Sequence, residues 1–229
     1  MKFKDFEHIL SHSRIQRYVD ACNGDTRKAM TLYRLNLHLS QEMFTIVSCF
    51  EVALRNAIDK NMIINFGNEW LKDAQLADGI FNNKKCYKTK NIIRYAYNKA
   101  VKQKSYSHEG LLSDMDFGVW KYMFAPNEYS AIGRTLLKIF PNKPTSSATM
   151  QYNNKYVFNE LDKINKMRNR IAHHEPICFE QGVPVISTYN VFQQYQRIQT
   201  LFSWMNIDAR ALLYGLDHVQ SVCNEINNL

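Results

Sequence analysis

Residues 157–176, VFNELDKINKMRNRIAHHEP, carry both the strongest helical pattern of the chain and its densest chemistry. Val157, Leu161, Ile164 and Ile171 recur at steps of four and three residues, the period of a buried helix stripe. The position that would complete the series between Ile164 and Ile171 is Arg168, so an arginine is expected on a core-facing slot. Pro176 disfavours helical geometry at Glu175. The helix, read from about Thr149, is therefore expected to end at His173 or His174 with both histidines in its last turn.

Working outward, the same period returns along the chain. Asn23-Gly24-Asp25-Thr26 reads as a turn and a cap, followed by a helix carrying Ala29, Leu32, Tyr33, Leu37 and Leu39 as far as Ser40. Ser40 reads as the start of a second, central helix, with Phe44, Val47, Leu54, Ile58 and Met62 on its apolar face and a stop near Gly67. Residues 68–88 lack a sustained period and are expected to form a loop with short elements, ahead of a helix over 89–104. Helices over 111–124 and 127–140 are parted by Ala125-Pro126, and Pro141 and Pro144 mark a break before the 157–176 helix. Beyond Gly182 and Pro184, Val191, Tyr195, Ile198, Phe202 and Met205 form one stripe. Leu212, Leu216, Val219, Cys223 and Ile226 form another behind the cap Asp208. With no competing strand pattern and no internal repeat, the expected fold class is all-α, a single domain of long antiparallel helices over 1–229.

Composition narrows the class. Hydrophobic residues at 45% and charged residues at 22% are ordinary for a globular chain and argue against disorder. The net charge of +8 favours a polyanionic partner without establishing one. Lys88, Lys90 and Arg94 lie in a basic stretch over 84–104 interleaved with Tyr87, Tyr95, Tyr97 and Tyr106, a mixture suited to nucleic acid and equally to a solvated helix face. Five dispersed cysteines with no Cys-x-x-Cys point to free thiols in a reducing cytoplasm, not to disulfides or zinc. No apolar run is long enough to span a membrane, and no secretory leader is read at the N-terminus. His8 and His12 lack a third ligand, so neither a metal nor a cofactor is called for.

The chemistry concentrates at the helix end. Asn169 and His173 are four apart and share a face, whereas Arg168 and His173 are separated by roughly 140° of helix rotation. A guanidinium can hold a phosphate by paired hydrogen bonds and stabilise charge in phosphoryl transfer, and an imidazole can move a proton. Those groups suffice for RNA cleavage by 2'-OH attack without metal. One histidine cannot easily act as both acid and base, and two copies of the helix across a two-fold axis would supply a pair. The competing reading makes Arg168 a buried ion-pair partner and His173 a helix cap. Glu51 breaks the stripe between Val47 and Leu54 in the same way. It is expected either to pair with Arg55 alone or to orient Arg168, directly or through Arg55. His174 is placed to assist the site or to pair with Arg170, and Trp120 is expected in the core.

The run Arg168-Asn169-x-x-Ala172-His173 resembles the R-x4-6-H motif of the HEPN superfamily of all-α ribonucleases and RNA-binding proteins. Its extension through Arg170, His174, Glu175 and Pro176 resembles Abi-like abortive-infection proteins of the AbiD/AbiF type. So do Ala21-Cys22-Asn23-Gly24-Asp25, Phe50-Glu51-Val52-Ala53-Leu54-Arg55-Asn56 and Phe117-Gly118-Val119-Trp120. The resemblance implies a HEPN-type helical bundle with additional N-terminal and inserted helices, and a phage-defence or toxin-antitoxin role. It further implies RNA as substrate or bound regulator, a homodimer with the motif at its interface, and an antitoxin of protein or RNA. A non-catalytic RNA-binding module using the same Arg and His is the alternative. Asp116 departs from the small residue expected before Phe117-Gly118.

Overall fold

The computed structural model describes residues 1–229. The fold is all-α, in the order α1 (Phe3–Leu10), α2 (His12–Ala21), α3 (Thr26–Phe66), α4 (Trp70–Ala74), α5 (Tyr87–Lys102), α6 (His108–Asp114), α7 (Phe117–Tyr122), α8 (Pro126–Ala131), α9 (Asn154–Ala172), α10 (Tyr189–Trp204), α11 (Ala209–Leu212) and α12 (Val219–Asn227). The only extended pairing is an isolated bridge between Phe179 and Ile186. No helix is long and apolar enough to cross a membrane.

Contacts divide the chain into two compact units, one of Met1–Cys49, Lys166–Thr200 and Asp208–Leu229, the other of Phe50–Asn165 and Leu201–Ile207. In the first, Tyr18 meets Tyr33 and Phe179 edge-on at 5.2 and 5.0 Å, and Phe6 meets Tyr33 at 5.4 Å. Asn36, buried on α3, accepts hydrogen bonds through its side-chain oxygen from the backbone N–H of Ile177 (2.8 Å) and Cys178 (3.2 Å). That amide fixes the chain just after α9. In the second unit, Phe50 packs against Phe117 and Phe202, Trp204 against Phe140, Tyr152 and Tyr156, and Trp120 is buried as expected.

Several expected boundaries are corrected. Ser40 does not begin a helix, because its hydroxyl donates back to the Asn36 carbonyl at 2.8 Å and α3 runs unbroken for 41 residues. Phe44 and Leu37 are exposed, and Met43, Ile46, Val47 and Phe50 line the buried side of that region. Residues 111–124 are cut between α6 and α7 because the Asp116 side chain caps α7, accepting from the Val119 N–H at 3.1 Å. Residues 127–140 are cut by left-handed backbone at Gly133 and Arg134. The stripe expected over 212–226 fails at Gly215 (φ 73°), leaving Leu212 and Leu216 exposed. The 157–176 helix starts at Asn154 because Asn153 caps it, its side chain accepting from the Tyr156 N–H at 3.0 Å.

The end of α9 positions the candidate site. His174 has φ 56°, its N–H donates to the Ile171 carbonyl (3.0 Å), and the Glu175 N–H donates to the Arg170 carbonyl (2.9 Å). Those two bonds define a Schellman cap with His174 in the left-handed position usually given to glycine. His173 is thus the last residue before the reversal, just past α9. Arg14 on α2 donates to the His174 carbonyl at 3.0 Å and ties down the turn.

Two stability predictions follow from these bonds. Asn36→Leu leaves two buried N–H groups without acceptors and lowers the free energy of unfolding by about 2–4 kcal/mol in urea titrations. His174→Gly relieves the left-handed strain and raises it by roughly 0.5–1 kcal/mol, with the Arg14 bond to the backbone retained.

Candidate active site

Lys166, Asn169, Arg170 and His173 stand at helical spacings of three, one and three and line one wall of a cavity of about 390 Å³. Arg17 from α2, Glu175, Gln181 and Gly182 complete the lining. Three permanent cations, one imidazole and one carboxylate therefore face the same space. All lie within the first unit.

Local structure explains the convergence. In a Schellman cap the residue after the left-handed position returns to the side chain five residues earlier, often as an apolar contact. Here that pair is ionic, with Glu175 Oε2 3.4 Å from Arg170 Nε. The Arg170 guanidinium also donates to the Pro176 carbonyl, so it braces the turn from inside. Arg17 stacks over Phe179 at 4.7 Å and donates to the carbonyls of Glu180 (3.1 Å) and Val183 (2.8 Å), holding the loop that brings Gln181 and Gly182 to the cavity.

Arg168 is placed differently from expectation. The buried stripe passes through Met167, 2% exposed, so the core slot is apolar and Arg168 flanks it half-buried. Both positions satisfy the four-three period, and the apolar side chain has the lower cost of burial. Arg168 is not part of the cavity wall, but its Nη1 lies 3.5 Å from Asn169 Oδ1, which links it to the His173 face. Its Nε is buried with no hydrogen-bond acceptor. His173 and His174 are exposed.

The remaining expected site residues, Glu51, Arg55, Lys88, Lys90 and Arg94, lie in the other unit. Glu51 and Arg55 are half-buried on α3, and Arg55 Nε is likewise buried without an acceptor. On α5, Lys88 and Arg94 are exposed, with Arg94 donating to the Gln75 carbonyl at 3.3 Å. Lys90 is buried, its ammonium 3.5 Å from both the Ala77 carbonyl and Asn82 Oδ1. That lysine holds the loop before α5 and presents no surface charge. His8 and His12 fall on separate helices, and His12 Nδ1 pairs with Glu7 at 2.7 Å.

Of the cavity residues that sequence reasoning missed, Lys166 was recoverable, being one and two turns before Asn169/Arg170 and His173 on the same face. Glu175 was read only as the residue that Pro176 keeps out of the helix, and its return to the cavity depends on the left-handed turn at His174. Arg17, Gln181 and Gly182 come from distant elements and left no local signal. Cys178, close in sequence, is no nucleophile here, since burial pushes its thiol up to about 12.

The arrangement can bind a phosphodiester through its cations and exchange protons through His173. No curated protein and no solved structure matches the chain. The model of the Abi-like protein family matches residues 2–178, most of the chain, and that family's name points to abortive infection as a phage defence. On that match the chain belongs to the Abi-like protein family.

Proposed function

We propose that this protein is the effector of a cytoplasmic phage-defence system of the AbiD/AbiF type and a metal-independent endoribonuclease of the HEPN superfamily. The observation that carries the reading is the cavity in which Asn169 and His173 share a wall with Lys166, Arg170 and Arg17. A phosphodiester entering it meets three cations, which draw in and hold its negative charge. His173 stands at the rim as the proton-transfer group, and Asn169, one turn earlier, positions it. Arg168 reaches the same face through Asn169 and stabilises the charge that develops on phosphorus.

The reaction is attack of the ribose 2'-oxygen on the adjacent phosphorus with departure of the 5'-oxygen. A homodimer and a silencing antitoxin, of protein or RNA, belong to the same reading.

Purified protein is expected to cut single-stranded RNA in the presence of EDTA and to leave 2',3'-cyclic phosphate ends. His173→Ala and Arg168→Ala each slow cleavage by about 10²-fold or more. Equal cutting by wild type and both variants removes the site, and 3'-hydroxyl products exclude the 2'-hydroxyl route. Binding without turnover by the wild type would make the chain an RNA-binding module instead.

Binding itself yields a separate expectation. Lys166→Ala and Arg170→Ala each weaken RNA binding independently of sequence, and each lowers the slope of log affinity against log salt by about 1. Filter binding across a salt series checks this.

A further inference from the structure

We infer that Glu175 is the second proton-transfer group of this site, accepting the 2'-hydroxyl proton while His173 protonates the leaving 5'-oxygen. The inference rests on the ribonuclease reading and deepens it by supplying the acid and the base from one protomer.

The left-handed turn at His174 is what makes this arrangement available. His173 is the last residue before the reversal and Glu175 the first after it, so the two side chains return to one cavity. The ion pair of Glu175 with Arg170 fixes the direction of that return. Glu175 remains accessible all the same, its side chain 55% exposed. It is the one carboxylate in the cavity lining, and the charged or titratable groups facing it are Arg170 and Lys166 from α9, His173 just past its end and Arg17 from α2. A carboxylate is a proton acceptor and an imidazolium a proton donor, so the pair divides the work that a lone histidine cannot perform in one step.

The step balances within the site. The 2'-hydroxyl proton passes to the Glu175 carboxylate, the 2'-oxygen bonds to phosphorus, and the bond from phosphorus to the 5'-oxygen breaks. The 5'-oxygen takes the proton from His173. Glu175 ends protonated and His173 neutral, and proton exchange with water restores both. Arg170 has two contacts in this scheme: its Nε holds Glu175 in place, and the guanidinium also braces the Pro176 carbonyl.

The competing account is that Glu175 serves only to pair with Arg170 and close the helix. Glu175→Gln separates the two, because the amide keeps the shape and an oxygen for Arg170 but is no base. The pH dependence of kcat/KM is measured on a dinucleotide substrate for wild type, Glu175→Gln, Glu175→Asp and His173→Ala, with circular dichroism as the check on folding.

The expected result is a bell-shaped wild-type profile whose acidic limb is lost in a folded Glu175→Gln variant slowed by about 10²-fold, and regained in Glu175→Asp. A folded Glu175→Gln variant that keeps the acidic limb overturns the inference, whatever its rate. If His173→Ala is inactive in that case, the ribonuclease reading survives alone. If wild type and His173→Ala behave identically, both fall.

Discussion

The left-handed turn at His174 is the constraint on which the candidate site depends. A non-glycine residue resists that geometry, and it is held there by bonds from both sides. The His174 and Glu175 amides close onto α9, Arg14 takes the His174 carbonyl, and Arg170 takes the Pro176 carbonyl. Asn36 then captures the next two amides, and Phe179 lies against Tyr18 and beneath Arg17. Release of the turn would uncouple His173, Glu175, Gln181 and Gly182 from a common cavity. The two histidines thus have different positions: His173 presents its side chain to the cavity, and His174 contributes through its backbone.

In the other unit several polar groups pair with one another. Asp59 Oδ1 accepts from Trp70 at 2.7 Å and lies 2.8 Å from His108 Nε2. Lys121 meets Asp162 at 2.9 Å with its ammonium over Tyr122, and Thr89 donates to the buried Glu128 at 2.9 Å. Those pairs are internal to the unit and specify packing. At the end of α9 the balance differs, with three cations against one carboxylate around open space. A cavity lined by more cations than carboxylates draws in an opposite charge.

Much of the helical framework was legible in the sequence, because the apolar period survives wherever a helix has one buried face. The end of α9 was legible from Pro176 to within two residues, although both histidines fall beyond the helix and not in its last turn. The start of α3 was legible from Asp25, whose carboxyl, drawn below the usual range by the Lys28 and Arg27 N–H groups, caps it. Errors arose where a side chain had two physically reasonable uses. Ser40 was read as a cap and bonds back inside α3. Arg168 and Met167 fit the stripe equally, and only packing chose between them. Lys90 was read as surface charge and is consumed by a carbonyl and an amide that sequence proximity did not reveal. The site residues on α9 were readable as a face, and those from α2 and the 180–183 loop were not.

The division of labour between Arg168 and Arg170 follows from their positions one helical step to either side of Asn169. Arg170 is committed to the turn, with Nε on Glu175 and the guanidinium on Pro176, so its charge is fixed in place as part of the scaffold. Arg168 has a weaker hold, a single 3.5 Å contact to Asn169, and a buried Nε that no protein group satisfies. A guanidinium with unfilled donors can shift toward a phosphate with little to give up, whereas one already bonded at both ends cannot. Exchanging the two roles would leave the turn unbraced or the phosphate without a mobile fork. The order Arg-Asn-Arg along α9 therefore has a physical reading: a mobile cation, an amide that connects it to the histidine face, and a fixed cation that holds the helix end.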